Sequence, residues 1–319
     1  YLLGGESIDL GGHAAWGGGD LCVVEADEYK RAFHEYRPAV AVITNVEPDH
    51  LDYYSTEAAY HEAFAHFAGL VRPGGLLLVC ADDAGSARLA GAAKGAANET
   101  YGTGDGATWT ATDIRKSVAG ATFLVSKEGR AVGELQVGFP GDNFVRNALA
   151  AAAVCLHEGV PIEVIRAALG KVRGAHRRFE RVGEAKGVLV MDDYAHHPTE
   201  VRSTIATAKS AFPRQKLIVV YQPHTYSRIA YLWDEWVSCW EGVDSLVVLE
   251  TYAAREDPRS GRSAKELASA IGTPVTQYAA TFDAAAEMAA RAARTGDVIF
   301  TMGAGDVVEV GPKILELLQ

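Results

Sequence analysis

A rhythm constrains this chain more than any other feature. Short apolar runs, among them Leu21-Cys22-Val23-Val24, Val40–Ile43 and Leu76–Cys80, each end on polar residues. Between the second and third, residues 55–70 carry Ala59, Phe64 and Phe67 at helical spacing, and Pro73-Gly74-Gly75 then breaks the helix. Strand, helix and strand in turn predict a mostly parallel sheet with helices on its faces. Residues 100–137 depart from the rhythm. Thr108-Trp109-Thr110-Ala111-Thr112 and Ala121-Thr122-Phe123-Leu124-Val125 read as a small antiparallel β element. Gly141-Asp142-Asn143 then opens an Ala-rich helix, and residues 162–169 read as another.

Near Gly174 the rhythm restarts. Strands are predicted at residues 188–191, Leu217–Tyr221, Ser245–Leu249 and residues 298–301, with helices at 199–211, 229–240, 264–271 and 284–294. The 319 residues therefore read as two α/β domains, 1–173 and 174–319, with the boundary region at 170–187. The stretch AAREDPRSGRSA, residues 253–264, reads as a mobile loop.

Charge and cysteine usage narrow the function classes. A net charge of −11 argues against a general nucleic-acid binder, which needs a basic face. It leaves room for a phosphate-bearing small substrate, because a few local arginines suffice there. No apolar run approaches the roughly 20 residues of a membrane helix, so no membrane partner is expected. Cys22, Cys80, Cys155 and Cys239 form no C-x-x-C and read as buried free thiols of a reducing compartment.

Five polar clusters follow predicted strands or open predicted helices. Glu25-Ala-Asp-Glu28 and Thr44-Asn45-Val-Glu47-Pro-Asp49-His50 end adjacent strands, where carboxylates and an imidazole can hold a hard divalent cation or merely cap helices. Asn143 and Asn147 lie one turn apart on one helical face, and paired amides can read a purine edge. Arg177-Arg178 in GAHRRFE suits a phosphate or carboxylate clamp, or a solvated basic turn. The runs MDDYAHHPTEV (191–201) and YQPHTYSR (221–228) should lie on one sheet edge, as a reacting centre or as helix starts. Gly303-Ala-Gly305-Asp306 allows either an anion cradle of backbone N–H groups or a tight turn.

Taken in order, EADE, TNVEPDHLDYY, GDNFVRNALAA, GAHRRFE, DDYAHHPTEV, QPHTYSR, TYAAREDP and GAGDV resemble the Mur ligase family over nearly the whole chain. The resemblance implies an α/β protein: a P-loop-type central ligase domain, incomplete at its N-terminus, then a Rossmann-like C-terminal domain. It implies a cytoplasmic, ATP- and Mg2+-dependent amide ligase of peptidoglycan synthesis that phosphorylates a carboxylate and lets an amine displace the phosphate. Within the family the motifs stand nearest the members that join L-alanine to UDP-N-acetylmuramate. Murein tripeptide ligase, with a similar His-His-Pro segment, is the neighbouring alternative. By the same resemblance Glu25 and His50 are magnesium ligands. Asn143 and Asn147 read adenine, Arg178 holds the transferring phosphate, and Asp193 and Tyr194 complete the nucleotide-binding set. His50, Arg178, His196, His197 and Arg228 form the catalytic set.

The sequence departs from the family in three places. Lys30 stands where a carboxylate is usual, and Ala195 where glycine is usual. The P-loop G-x-x-x-x-G-K-[ST] does not occur. It and a UDP-gripping domain, roughly 100–150 residues, are expected ahead of Tyr1. On that expectation the chain alone has no turnover. A truncated, non-catalytic binding homologue is the second reading. A metal-dependent hydrolase using Asp49-His50 and His196-His197 is the third, disfavoured because adjacent histidines on a turn diverge.

Overall fold

The structure is a computed structural model that describes residues 1–319 apart from the side chains of residues 51 and 52. The chain divides into two compact units, Tyr1–Arg173 and Gly174–Gln319.

Unit 1 opens with an antiparallel ribbon, β1 (Leu2–Ser7) and β2 (Gly12–Ala14). Its main sheet has six strands in chain order: β3 (Val40–Ile43), β4 (Leu76–Cys80), β5 (Ala97–Gly102), β6 (Trp109–Ser117), β7 (Gly120–Lys127) and β8 (Arg130–Val137). The first four are parallel; β6, β7 and β8 pair antiparallel. The expected small antiparallel element is continuous with the parallel sheet. Tyr101 and Trp109 form the join, through a strand β5 that its polar sequence had hidden. The helices are α1 (Leu51–Tyr54), α2 (Glu57–Ala68), α3 (Ala84–Ala87), α4 (Asp142–His157) and α5 (Ile162–Leu169). Every residue of β4 is buried. Leu76, Leu78 and Cys80 pack with Val145 and Leu149 of α4, while Leu77 and Val79 pack with Tyr60 and Phe67 of α2. A strand covered on both faces must be apolar throughout, which is why LLLVC shows no alternation.

The run 21–24 forms no strand. It touches β1 at one bridge, Leu2 to Val24, and Leu21, Cys22 and Val23 are exposed. One rung is too short for a ladder. Cys155 is half-buried, so only Cys80 and Cys239 are the buried thiols expected.

Unit 2 has a second six-stranded sheet, built from β9 (Glu180–Ala185), β10 (Val188–Asp193), β11 (Leu217–Tyr221), β12 (Ser245–Leu249), β13 (Val275–Ala279) and β14 (Val298–Met302). Its order is β13-β12-β11-β14-β10-β9, parallel except for the antiparallel edge strand β9. The helices are α6 (Pro198–Ala211), α7 (Tyr226–Tyr231), α8 (Trp233–Ser238), α9 (Ala264–Ala270), α10 (Phe282–Ala292) and α11 (Val310–Leu318). The single helix expected at 229–240 is two, because Leu232 leaves the helical region (φ −103°, ψ 35°). Among the described residues no helix is long and apolar enough to cross a membrane.

Candidate functional site

In unit 2 the parallel strands β10, β14, β11 and β12 deliver their carboxyl ends to one edge, where open α/β sheets bind ligands. Asp192-Asp193, Gly303–Gly305, Gln222–Thr225 and Glu250–Tyr252 stand there in turn. The loop after β14 is locked to its neighbours. The Gln222 side chain donates to Asp306 Oδ1 (2.7 Å) and accepts from the Val307 N–H (3.0 Å). A Cβ on Gly303 (φ +142°) would lie 2.7 Å from the Gln222 carbonyl oxygen, and one on Gly305 would lie 2.8 Å from Tyr252 Cγ. Both glycines are required. Two carbonyls of this turn face inward, Gly303 O and Gly305 O both accepting from Arg177, at 2.6 and 3.0 Å.

Arg177 also donates through Nε to Asp192 Oδ2 at 2.9 Å, and Thr301 Oγ1 donates to the other oxygen at 2.5 Å. Asp192 is 1% exposed, and its burial raises its pKa despite these partners. Asp193 is similarly enclosed. Oδ2 accepts from the Phe179 N–H (2.8 Å), and Oδ1 from the Ala195 N–H (2.9 Å) and Thr204 Oγ1 (3.1 Å). Burial pushes its carboxyl up to about 6. The side chain expected to contact the nucleotide is therefore turned into its own unit, with both oxygens engaged by local donors. Ala195 is buried and has no positive φ, so alanine costs nothing where glycine is usual.

Arg177 (φ +62°) and Phe179 (φ +52°) are both left-handed, and the kink sends the two arginines to different places. Arg177 goes into the network above. Arg178 is exposed, its guanidinium 5.3 Å from the Tyr194 ring, whose face Arg177 also approaches at 5.0 Å.

The two histidines of the AHHP run separate. His197 is the N-cap of α6. Its Nδ1 accepts from the Thr199 N–H (3.3 Å), and Glu200 closes the capping box. His196 Nδ1 lies 3.0 Å from the Tyr194 carbonyl and 3.3 Å from Glu200 Oε2. Both partners are acceptors, so Nδ1 carries a proton. Burial works against the charge of Glu200, but the His196 charge, the N–H groups of His196 and His197, and Arg178 hold its pKa low. His196 packs edge-on against Tyr194 (5.3 Å) and His224 (6.0 Å), and His224 stacks on Tyr252 (5.4 Å). Arg228 Nη1 donates to the His224 carbonyl and to its Nδ1 (3.1 Å). Tyr194, His196, His224 and Tyr252 thus form a row of rings along the edge, with Arg178 near one end and Arg228 beside His224. Nothing in the sequence marked His224 or Tyr252 apart from their neighbours.

In unit 1, Asn143 and Asn147 occupy the first turns of α4. Asn147 is exposed, and the Asn143 Oδ1 is buried with no hydrogen-bond partner. An orphaned amide oxygen needs a donor such as a ligand N–H, so the adenine-reading expectation fits this position. Glu25 accepts from the Gly4 N–H at 2.8 Å. His50, left-handed at φ +53°, instead has Glu28 Oε1 at 3.3 Å and Asp49 Oδ2 at 3.9 Å from its Nε2. Among the described residues no group of three His, Cys, Asp or Glu could hold a metal ion. Mg2+ makes a smaller demand, one or two carboxylates with the rest of its shell from phosphate and water, and the carboxylates of Glu25, Glu28 and Asp49 have suitable chemistry. Lys30 is exposed, its ammonium 5.3 Å from the Tyr29 ring, and forms no ion pair among the described residues.

Two mostly parallel α/β units, one with a polar row beyond its carboxyl edge, define the class of open-sheet proteins that take ligands at strand ends. Residues 13–155 match the profile of the Mur ligase middle domain, and residues 177–305 that of the Mur ligase glutamate ligase domain. The chain belongs to the Mur ligase family. It is 41% identical over 322 residues to the UDP-N-acetylmuramate–L-alanine ligase of Saccharopolyspora erythraea, covering 99% of this chain and 65% of that protein. It is 42% identical over 328 residues to the ligase of the same name from Mycolicibacterium smegmatis, covering 100% and 67%. The crystal structure of UDP-N-acetylmuramate-alanine ligase MurC from Thermotoga maritima superposes with a TM-score of 0.80 at 27% identity, covering 99% of this chain and 68% of that one. MurF from Acinetobacter baumannii, at 21% identity and a TM-score of 0.71, shares the fold. The chain spans about two thirds of the length of the curated relatives it matches.

Proposed function

We propose that the protein joins L-alanine to UDP-N-acetylmuramate in an ATP-dependent, amide-forming reaction of peptidoglycan precursor synthesis, in the cytoplasm. The observation that carries this reading is the row of polar groups on the unit 2 edge, Arg178, Tyr194, His196, His224 and Arg228, in a chain whose relatives are named for that reaction. The γ-phosphoryl group of ATP passes to the substrate carboxylate, giving an acyl phosphate and ADP. The alanine nitrogen then forms the C–N bond as the C–O bond to phosphate breaks, and one proton leaves the nitrogen.

Each step sets an electrostatic demand. An anionic triphosphate must meet an anionic carboxylate, so fixed cations are needed where the negative charge gathers. Arg178, exposed and steadied by the Tyr194 ring, takes the transferring phosphate in this reading. Arg228 supplies a second fixed cation beside His224. His196, with Nδ1 protonated against Tyr194 O and Glu200, stands in the row between Tyr194 and His224, beside the reacting groups. Asn143 and Asn147 read the adenine edge. Mg2+, when bound, neutralises phosphate charge, and Glu25 and His50, with Glu28 and Asp49 beside His50, would hold it. His197 and Asp193 hold the local structure.

The test is ADP release by the protein translated from its complete reading frame. Release should require both UDP-N-acetylmuramate and L-alanine, and Arg178→Ala should lower kcat by roughly 100-fold or more. Turnover that ignores L-alanine would overturn the assignment.

A further inference from the structure

The segment 253–264 read as a mobile loop in the sequence, and the structure fastens it along its length. The Glu256 carboxylate accepts from Thr225 Oγ1 (2.6 Å), the Ser227 N–H (2.9 Å), Ser227 Oγ and Ser260 Oγ (3.3 Å). The Arg262 N–H donates to the Tyr226 carbonyl (3.2 Å), and a Cβ on Gly261 would collide with that same carbonyl, so only glycine lets the backbones approach. The Arg262 guanidinium lies 3.9 Å from the Trp233 ring centroid. Ahead of the loop, the Tyr252 N–H donates to the Pro223 carbonyl (2.9 Å), and the Tyr252 ring stacks on His224.

These contacts converge on the start of α7. Thr225 is the N-cap residue, yet its hydroxyl makes no cap hydrogen bond. It donates to Glu256 instead, and Glu256, 31 residues away in sequence, takes the Ser227 N–H that a cap would take. A distant carboxylate thus does the work of a local cap, with its negative charge at the favourable end of the helix. Burial works to raise the Glu256 pKa, but the Ser227 and Thr225 hydroxyls and the Ser227 N–H hold it below the usual glutamate range. The segment so held carries His224 at one end and Arg228 at the other.

The geometry points to Glu256 as a positioning residue that latches the 253–262 loop onto Thr225 and Ser227 and so fixes His224 and Arg228 toward the amino-acid substrate. The inference rests on the proposed ligase function, in which Arg228 is a fixed cation beside His224, and it adds the assignment of that pair to the amino-acid end of the reaction. Glu256→Gln keeps the size of the side chain and removes its charge and one acceptor oxygen. In the protein from the complete reading frame, amide exchange at Ser227 should quicken by roughly 10-fold or more, since bonds to a charged acceptor are lost. KM for L-alanine should rise by about 10-fold, while KM for ATP and Tm stay near wild type. Glu256→Asp, which keeps the charge, should recover part of the L-alanine KM. Unchanged exchange at Ser227 would overturn the latch. Faster exchange with an unchanged L-alanine KM, or equal rises in both KM values, would overturn the positioning role. A wild-type protein without L-alanine-dependent turnover would instead sink the ligase reading, and exchange at Ser227 would still decide the latch.

Discussion

Arg177 and Arg178 are adjacent and chemically identical, yet one is a brace and the other faces solvent. The sequence shows the pair but not the division, because that depends on left-handed backbone at Arg177 and Phe179, which neither residue type favours. The same enclosure makes Asp193 a titratable brace, and its sign can be worked out. Burial pushes its carboxyl up to about 6, against the pull of the Phe179 N–H, Arg178, the Ala195 N–H and Thr204. A carboxyl in an unfolded chain titrates near about 3.9, so the folded state binds this proton more tightly. Its contribution to stability is therefore fully present below about pH 4 and is lost as pH rises through about 6. Asp193→Asn should shrink the slope of unit 2, leaving the part that belongs to Asp192, whose carboxyl burial also raises, read as urea midpoints measured between about pH 4 and 7. A slope left unchanged by the substitution would assign it to another group.

Helix α6 poses a question at the scale of an element, because its N-cap, His197, is also a residue expected to act in catalysis. The two roles separate by substitution. Asparagine caps well, so His197→Asn should leave stability within about 0.5 kcal/mol, while His197→Ala should cost about 1 kcal/mol. If the imidazole acts only as a cap, turnover follows stability and His197→Asn stays active. Loss of turnover in His197→Asn at unchanged Tm would return the residue to the reacting centre. Elements also show where a sequence can be read and where it cannot. The buried parallel strands β4, β11 and β12 are visible because burial on both faces demands unbroken apolar runs. Strands β9 and β13 escape because they lie at the sheet edges, where ERVGEA and VTQYA tolerate polar and exposed positions. The polar loop 253–264 reads as mobile because the fastenings made by Glu256 come from residues about 30 positions away.

At the scale of the whole molecule, unit 2 holds a complete sheet and its own core. Val190, Ile218, Val220, Val247 and Ile299 pack against Ala285, Ala289, Val310 and Ile314 of the flanking helices. A domain with its own core can fold by itself. Residues 174–319 expressed alone should therefore unfold cooperatively, with a midpoint close to that of unit 2 in the whole chain. Tryptophan gives a selective readout, because Trp233, Trp236 and Trp240 all lie in unit 2, and Trp236 and Trp240 are fully buried. In unit 1 Trp16 is 94% exposed, which leaves Trp109 as its buried reporter. Arg177 supplies the internal control. Removing it leaves Asp192 buried without its cation, a loss worth about 3 kcal/mol or more. Arg177→Ala should lower the fluorescence-detected transition equally in residues 174–319 and in the full chain, and leave the unit 1 transition in place. A single transition in which both units shift together would show that they unfold as one cooperative block.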